Sequence, residues 1–115
     1  MKPMWVMVAG PYRTGARSDE ERAANLRRLN VAAYAVLRRG HVPLVGVNLA
    51  LPIIDAAGPE SYEDVMTPLS LAVADRCDAV LRVGGPSAGA DEEVERIRAR
   101  GGAAYESADD LPRVE

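Results

Sequence analysis

The side chains most able to do chemistry fall in two short stretches. Gly10-Pro-Tyr12-Arg13-Thr-Gly15-Ala-Arg17 follows an apolar run, and Pro86-Ser87-Ala-Gly89-Ala-Asp91-Glu92-Glu93 opens a helical pattern. In the first, the Tyr12 phenol and the Arg13 guanidinium sit just past a strand. There a phenol can hydrogen-bond a ligand or a carboxylate, and a guanidinium can hold an anion. Packing over the rim of a sheet explains the same two residues without any ligand. The glycine spacing approaches that of a phosphate-binding P-loop, but Ala16 and Arg17 stand where that motif needs Lys and Ser/Thr. No dinucleotide GxGxxG fingerprint is present either.

In the second stretch, free backbone N–H groups and the Ser87 hydroxyl gather at a helix start and form an anion or oxyanion cradle. Asp91 and Glu92 are accounted for by the helix macrodipole alone. Glu93 differs, because it lies about one turn before Ile97 and can lean back toward the strand ends. An ionised carboxylate there can act as a nucleophile or stabilise a developing cation, and cleaving a glycosidic bond needs both. The remaining candidates are weaker. His41 follows the helix-ending Gly40 and is read as satisfying the last carbonyls of that helix rather than as a base. Cys77 has no His partner nearby in sequence and reads as a small buried hydrophobe, and no Ser-His-Asp arrangement can be assembled.

These residues need elements to place them. The apolar run from Met4 to Ala9, ended by Gly10-Pro11, reads as a strand buried on both faces. Ser18-Asp-Glu-Glu21 is a capping-box pattern, followed by Leu26, Leu29, Ala33, Val36 and Leu37 at helical spacing, so a helix is expected over 19–39. His41 to Gly46 reads as a second strand, which Pro43 confines to an edge. Residues 47–60 hold two prolines, one glycine and little periodicity, and read as a long active-site loop. A helical period runs from Ser61 to Cys77, with a kink or a late start at Thr67-Pro68. Asp78 to Val83 follows as a third strand, then a helix closed by Gly101-Gly102 and a short strand Ala103 to Tyr105.

Strands alternating with helices imply right-handed crossovers and a parallel sheet with helices on both faces, in one domain spanning 1–115. The ligand site should lie beyond the carboxyl ends of the strands, where Gly10–Arg17, Gly46–Leu51 and Gly84–Glu93 meet. Composition narrows the partners. A chain of 115 residues with net charge −3, four Tyr, one Trp and no Phe lacks the basic, aromatic footprint of a nucleic-acid binder. One Cys and one His cannot build a closed zinc site or an internal disulfide, and no cofactor motif is present. The N-terminal apolar run is too short for a signal peptide or a spanning helix, so no membrane partner and a cytoplasmic location are expected.

Val8-Ala-Gly-Pro-Tyr12, Asn25, Gly40-His-Val-Pro43, Cys77-Asp-Ala-Val80 and Ser87-Ala-Gly-Ala-Asp-Glu-Glu93-Val94, taken together in order and spacing, resemble the nucleoside 2-deoxyribosyltransferase-like superfamily. That superfamily includes nucleotide N-glycoside hydrolases, and the resemblance runs from Met4 to about Tyr105. It implies a flavodoxin-like α/β fold, a parallel sheet of four to five strands, and an enzyme that cleaves or transfers the bond between a base and a (deoxy)ribose. It implies that Glu93 attacks the anomeric carbon, that Tyr12 hydrogen-bonds and positions that carboxylate, and that Ser87 and Gly89 contact the sugar or a 5′-phosphate. Gly10, Arg13, Asn48 and Ser70 complete the expected substrate-binding set.

The chain departs from the family at one position. The related enzymes carry an Asp eight residues before the Asp that opens the third strand, and it protonates the leaving base; here that position is Ser70. A hydroxyl holds its proton far more tightly than a carboxylic acid. Asp64 and Asp75 lie at other angles on the same helix, which leaves Asn48 and Asp55 of the long loop to supply a replacement. Two functions are therefore expected to compete: an N-glycosidase or deoxyribosyltransferase acting on a small-molecule nucleoside or nucleotide, and a non-catalytic nucleotide- or nucleotide-sugar-binding module. A homodimer or higher homo-oligomer is expected to cover exposed edges, with Tyr34 and Tyr62 at its interface.

Overall fold

Alternation along the first strand sets up the whole architecture. Val6 and Val8 point to one face, Met7 and Ala9 to the other, and none of the four is more than 2% exposed. Such a strand must be covered twice. The computed structural model, which describes residues 1–115, shows how: β1 (Trp5–Ala9), α1 (Asp19–Arg38), β2 (Val42–Leu44), α2 (Gly46–Ala57), α3 (Tyr62–Ala74), β3 (Ala79–Arg82), α4 (Ala88–Ala99) and β4 (Ala103–Tyr105). The four strands are parallel in the order β2-β1-β3-β4. Val6, Val8, Ala79 and Leu81 pack under Leu29 and Val36 of α1 and Val47, Ala50 and Ile54 of α2. On the opposite face Met7, Ala9 and Val80 pack with Ala74, Cys77, Ala90 and Ile97.

The α/β fold is thus a four-stranded parallel sheet with helices on both faces, compatible with a single flavodoxin-like domain. The chain runs from β1 outward to β2, then crosses back to β3 on the other side of β1. The strand order therefore reverses between β1 and β3, and the connections leaving their carboxyl ends run to opposite sides, which leaves a crevice beyond the paired strand ends. Pro43 occupies an edge, as its missing donor requires: Val42 N–H points inward to Met4 O, so the neighbouring position 43 faces outward. The N-cap forms, with Ser18 Oγ accepting from Glu21 N–H, and the return bond of the capping box is shifted by one residue, Glu21 Oε2 accepting from Arg17 N–H.

Three expectations are corrected. Residues 47–60 are not a loop, because α2 fills most of that span. Its residues are apolar almost all round, which erases the periodic signal, and Pro52 sits inside it at the cost of one ladder bond. The next helix neither kinks into two nor starts late: α3 begins at Tyr62, after a 3-10 turn at Pro59–Ser61, and continues through Pro68. His41 does not cap α1 with its side chain. It is 1% exposed, its Nδ1 accepts from Met4 N–H, and its Nε2 donates to Pro112 O. That pairing fixes the neutral tautomer and ties the start of β1 to the C-terminal segment. No helix is long and apolar enough to cross a membrane.

Candidate active site

A cavity of about 280 Å³ occupies the crevice beyond β1 and β3. Its floor and one wall come from the loop after β1, which supplies Gly10, Tyr12, Arg13 and Thr14. The start of α4 supplies Ser87, Gly89, Ala90 and Glu93, and one face of α3 supplies Tyr62, Glu63, Met66, Thr67, Ser70 and Leu71, with Val47 of α2 between them. Gly10 is where the backbones of the two strand ends meet: a Cβ there would lie 2.5 Å from Val83 O and 2.9 Å from a Leu29 methyl. Any side chain at this position would push β1 and β3 apart and open the floor of the site.

Glu93 reaches the cavity because α4 is fixed at its first turn. Ser87, 7% exposed, caps the helix by accepting from Ala90 N–H at 3.2 Å. Arg82, at the end of β3, secures the same turn from outside. It donates to Asp91 Oδ1 at 3.2 Å, Val83 O at 2.6 Å and Gly85 O at 2.9 Å. The Glu93 carboxyl is pushed up from 4.5 to about 7. Burial is the main cause; the positive charge of Arg82 opposes it, and the neighbouring Glu92 adds to it. A carboxyl held this far above its ordinary range is disfavoured in its ionised form by burial, so it costs the fold stability wherever it is charged.

The opposite wall is aromatic and hydroxylic. Asn25 of α1 donates to Tyr12 O at 2.8 Å and so pins the backbone of the loop that carries the phenol. Arg13 lies over the Tyr62 ring, 4.2 Å from its centroid, and donates to Glu63 Oε1 at 3.2 Å. The Tyr62 phenol is raised above 10 mainly by burial, with Arg13 opposing, and it keeps its proton. Ser70 is 6% exposed and packs so closely on the start of α2 that a Cβ on Gly46 would lie 2.3 Å from its Oγ. The residue is part of the cavity wall.

The structure therefore brings Glu93, Tyr12, Gly10, Arg13, Ser70, Ser87 and Gly89 to one cavity. It does not bring Asn48, whose side chain donates to Asn30 on α1, and neither Asp55 nor Asp64 lines the space. Asp75 is paired with Arg96. Tyr62 lines the cavity, and Tyr34 is 60% exposed on α1. Sequence reasoning missed Tyr62, Glu63 and Thr67. The available signal was the face of α3 on which 62, 66 and 70 recur with 63 and 67, a stripe mixing hydroxyls, a carboxylate and apolar groups where a core stripe would be uniform. Cys77 is 1% exposed, and burial, reinforced by Asp78, pushes its thiol up to about 11, which keeps it an inert part of the core.

The cavity has room for a small polar molecule beside one carboxylate; its volume lies just below the roughly 300–1,000 Å³ usual for ligand sites. No group of three or more His, Cys, Asp or Glu side chains is placed to hold a metal ion. Scanned against models of known protein families and against curated proteins, the chain finds no match in either.

Proposed function

We propose that the protein is an enzyme of the nucleoside 2-deoxyribosyltransferase-like kind, which cleaves or transfers the bond between a base and a (deoxy)ribose through Glu93. The observation that carries this reading is the placement of a carboxyl of pKa about 7 in the same crevice as a phenol, a buried hydroxyl and a helix start. In the first step a Glu93 oxygen attacks the anomeric carbon, the C1′–N bond breaks, and the base departs with the bonding electrons. In the second, water or another base attacks the same carbon and releases the carboxylate. Two inversions give net retention. Tyr12, Ser87 and Gly89 line the same cavity as Glu93; in this reading the phenol positions the carboxylate, and Ser87 and Gly89 contact the sugar or a 5′-phosphate. No cofactor enters the scheme.

Incubation with a panel of ribo- and deoxyribonucleosides and their 5′-monophosphates, with chromatography for free base, tests the reading. Turnover that disappears in Glu93→Ala supports it, and full turnover in that variant defeats it. One observation favours a second reading, a non-catalytic nucleotide-binding module: Ser70 occupies the wall where a proton-donating carboxylic acid would be useful. That reading expects ligand-dependent thermal stabilisation with no product from any member of the panel. The proposal includes a homodimer or higher homo-oligomer, supported by the exposed apolar side chains Val31, Tyr34 and Leu37 on α1 and Leu49 and Ile53 on α2.

A further inference from the structure

The inventory of proton donors around the cavity restricts what it can cleave. Two carboxylates line it. Glu93 is committed to the anomeric carbon in the reading above, on which this inference rests, and Glu63 is a rim residue whose side chain is 82% exposed and paired with Arg13 at 3.2 Å. The remaining polar side chains are phenols, aliphatic hydroxyls and the Arg13 guanidinium, all far weaker acids than the carboxylic acid that most readily protonates a leaving nitrogen. The one imidazole, His41, has both ring nitrogens engaged at the amino ends of the strands, across the sheet from the cavity.

A neutral nucleobase departs as an anion unless something protonates it. A base already positive on its glycosylated ring needs no proton, because the electron pair of the breaking bond cancels its charge. We infer that this cavity is built for N-glycosides of cationic bases, such as an N-substituted pyridinium or an N7-alkylated purine, whose leaving group departs neutral. The Glu93 oxygen forms the bond to C1′, the C1′–N pair moves onto the ring nitrogen, and a neutral heterocycle leaves. Water then attacks C1′, the carboxylate is released, and one proton goes to solvent for each base set free.

Two further features match such a substrate. The wall carries one guanidinium against two carboxylates, an excess of negative charge when Glu93 is ionised. The Arg13 guanidinium lies over the Tyr62 ring, 4.2 Å from its centroid, so the wall already pairs an aromatic face with a planar, delocalised cation of its own. A positive ring beside Glu93 also favours its ionised form against the burial that holds the carboxyl near 7.

The test uses the wild-type protein with nicotinamide riboside and 7-methyladenosine as cationic probes and adenosine and cytidine as neutral ones, each also as its 5′-monophosphate. Base release is followed by chromatography and proton release in weak buffer. The expected result is turnover of a cationic probe at least tenfold faster than of any neutral one, with one proton per base and no turnover by Glu93→Gln. Neutral probes cleaved within tenfold of the cationic ones, in a Glu93-dependent way, overturn the substrate class and leave the N-glycosidase reading standing. No base from any probe, or equal release by Glu93→Gln, overturns both. Ser70→Asp, which adds a carboxyl to the wall, is expected to raise turnover of adenosine at least tenfold. A folded Ser70→Asp without that gain contradicts the inference, and if the variant fails to fold the wild-type comparison decides alone.

Discussion

The two ends of the same four-stranded sheet are built on opposite principles. At the amino ends every named polar group is spoken for. His41 bridges Met4 N–H and Pro112 O, Asp78 Oδ2 accepts from Trp5 N–H at 2.8 Å, and the Arg100 guanidinium donates to the carbonyls of Ala74 and Cys77 at the end of α3. At the carboxyl ends a carboxyl stands half-buried in a cavity, beside a phenol and a buried hydroxyl that share its wall. Burying polar groups with their partners stabilises a fold, while holding them ready for an absent partner costs stability and gains binding. One end of the sheet is thus anchored by satisfied polar groups, and the other is left open around a cavity.

The sharpest way to break that comparison is Glu93→Gln, which keeps the shape of the side chain and removes its ionised form. Base release is expected to fall by about 10³-fold or more, and a loss below tenfold in steady-state assays would return Glu93 to the ranks of ordinary helix residues. The same variant should change stability in the opposite sense. The folded pKa of Glu93, about 7, lies above its ordinary 4.5, so the fold favours the protonated carboxyl. That contribution is full below about pH 4.5, is lost as pH rises through 7, and is constant above. Denaturant titrations are therefore expected to show Glu93→Gln more stable than wild type at pH 8, by about 3 kcal/mol, and equal to it at pH 4. Equal stability at both pH values would mean the carboxyl is not held out of water.

At the anchored end, His41→Ala removes two buried hydrogen bonds and is expected to destabilise by about 2–3 kcal/mol. Base release per folded molecule should remain at the wild-type level, and a selective loss of activity would contradict the division of labour between the ends. The smallest effect sharpens the comparison. A Cβ at Gly89 meets nothing within 4 Å, so Gly89→Ala is expected to gain about 0.5–1 kcal/mol in helix stability. The added methyl stands in the cavity wall, and kcat/KM should drop several-fold while the melting temperature rises; both moving down together would show the site misplaced.

How much of this was legible in the sequence follows from how local each signal is. The β1 run, the Ser18 capping box, the edge placement of Pro43 and the Ser87 helix start are written in neighbouring residues, and each stands in the structure close to where its pattern predicts. The gathering of Tyr12, Ser87 and Glu93 followed from the parallel topology, which brings the carboxyl ends of the strands together, whereas Ser70, inside α3, was singled out only by the family resemblance. What was hidden is tertiary. α2 is covered on one side by the sheet and touches α3 on another, so it has no polar face to advertise a period, and Pro52 disguised it further. Reading it as a loop placed Asn48 at the site, whereas helical geometry turns that residue outward to Asn30. The roles of His41 and Tyr62 depend on partners 71 residues and 49 residues away respectively, Pro112 and Arg13, which no local pattern can reveal.

The most direct measurement is the mass of the protein during turnover. A substrate carrying fluorine at C2′ slows both displacement steps by destabilising positive charge at the anomeric carbon, so the glycosyl ester accumulates when the leaving group is good enough to form it. Intact-mass and peptide spectrometry are expected to find one added glycosyl group on the peptide containing Glu93 and none on the Glu93→Gln protein. A glycosyl group on any other residue, or continued base release by Glu93→Gln, would contradict the assignment of the nucleophile.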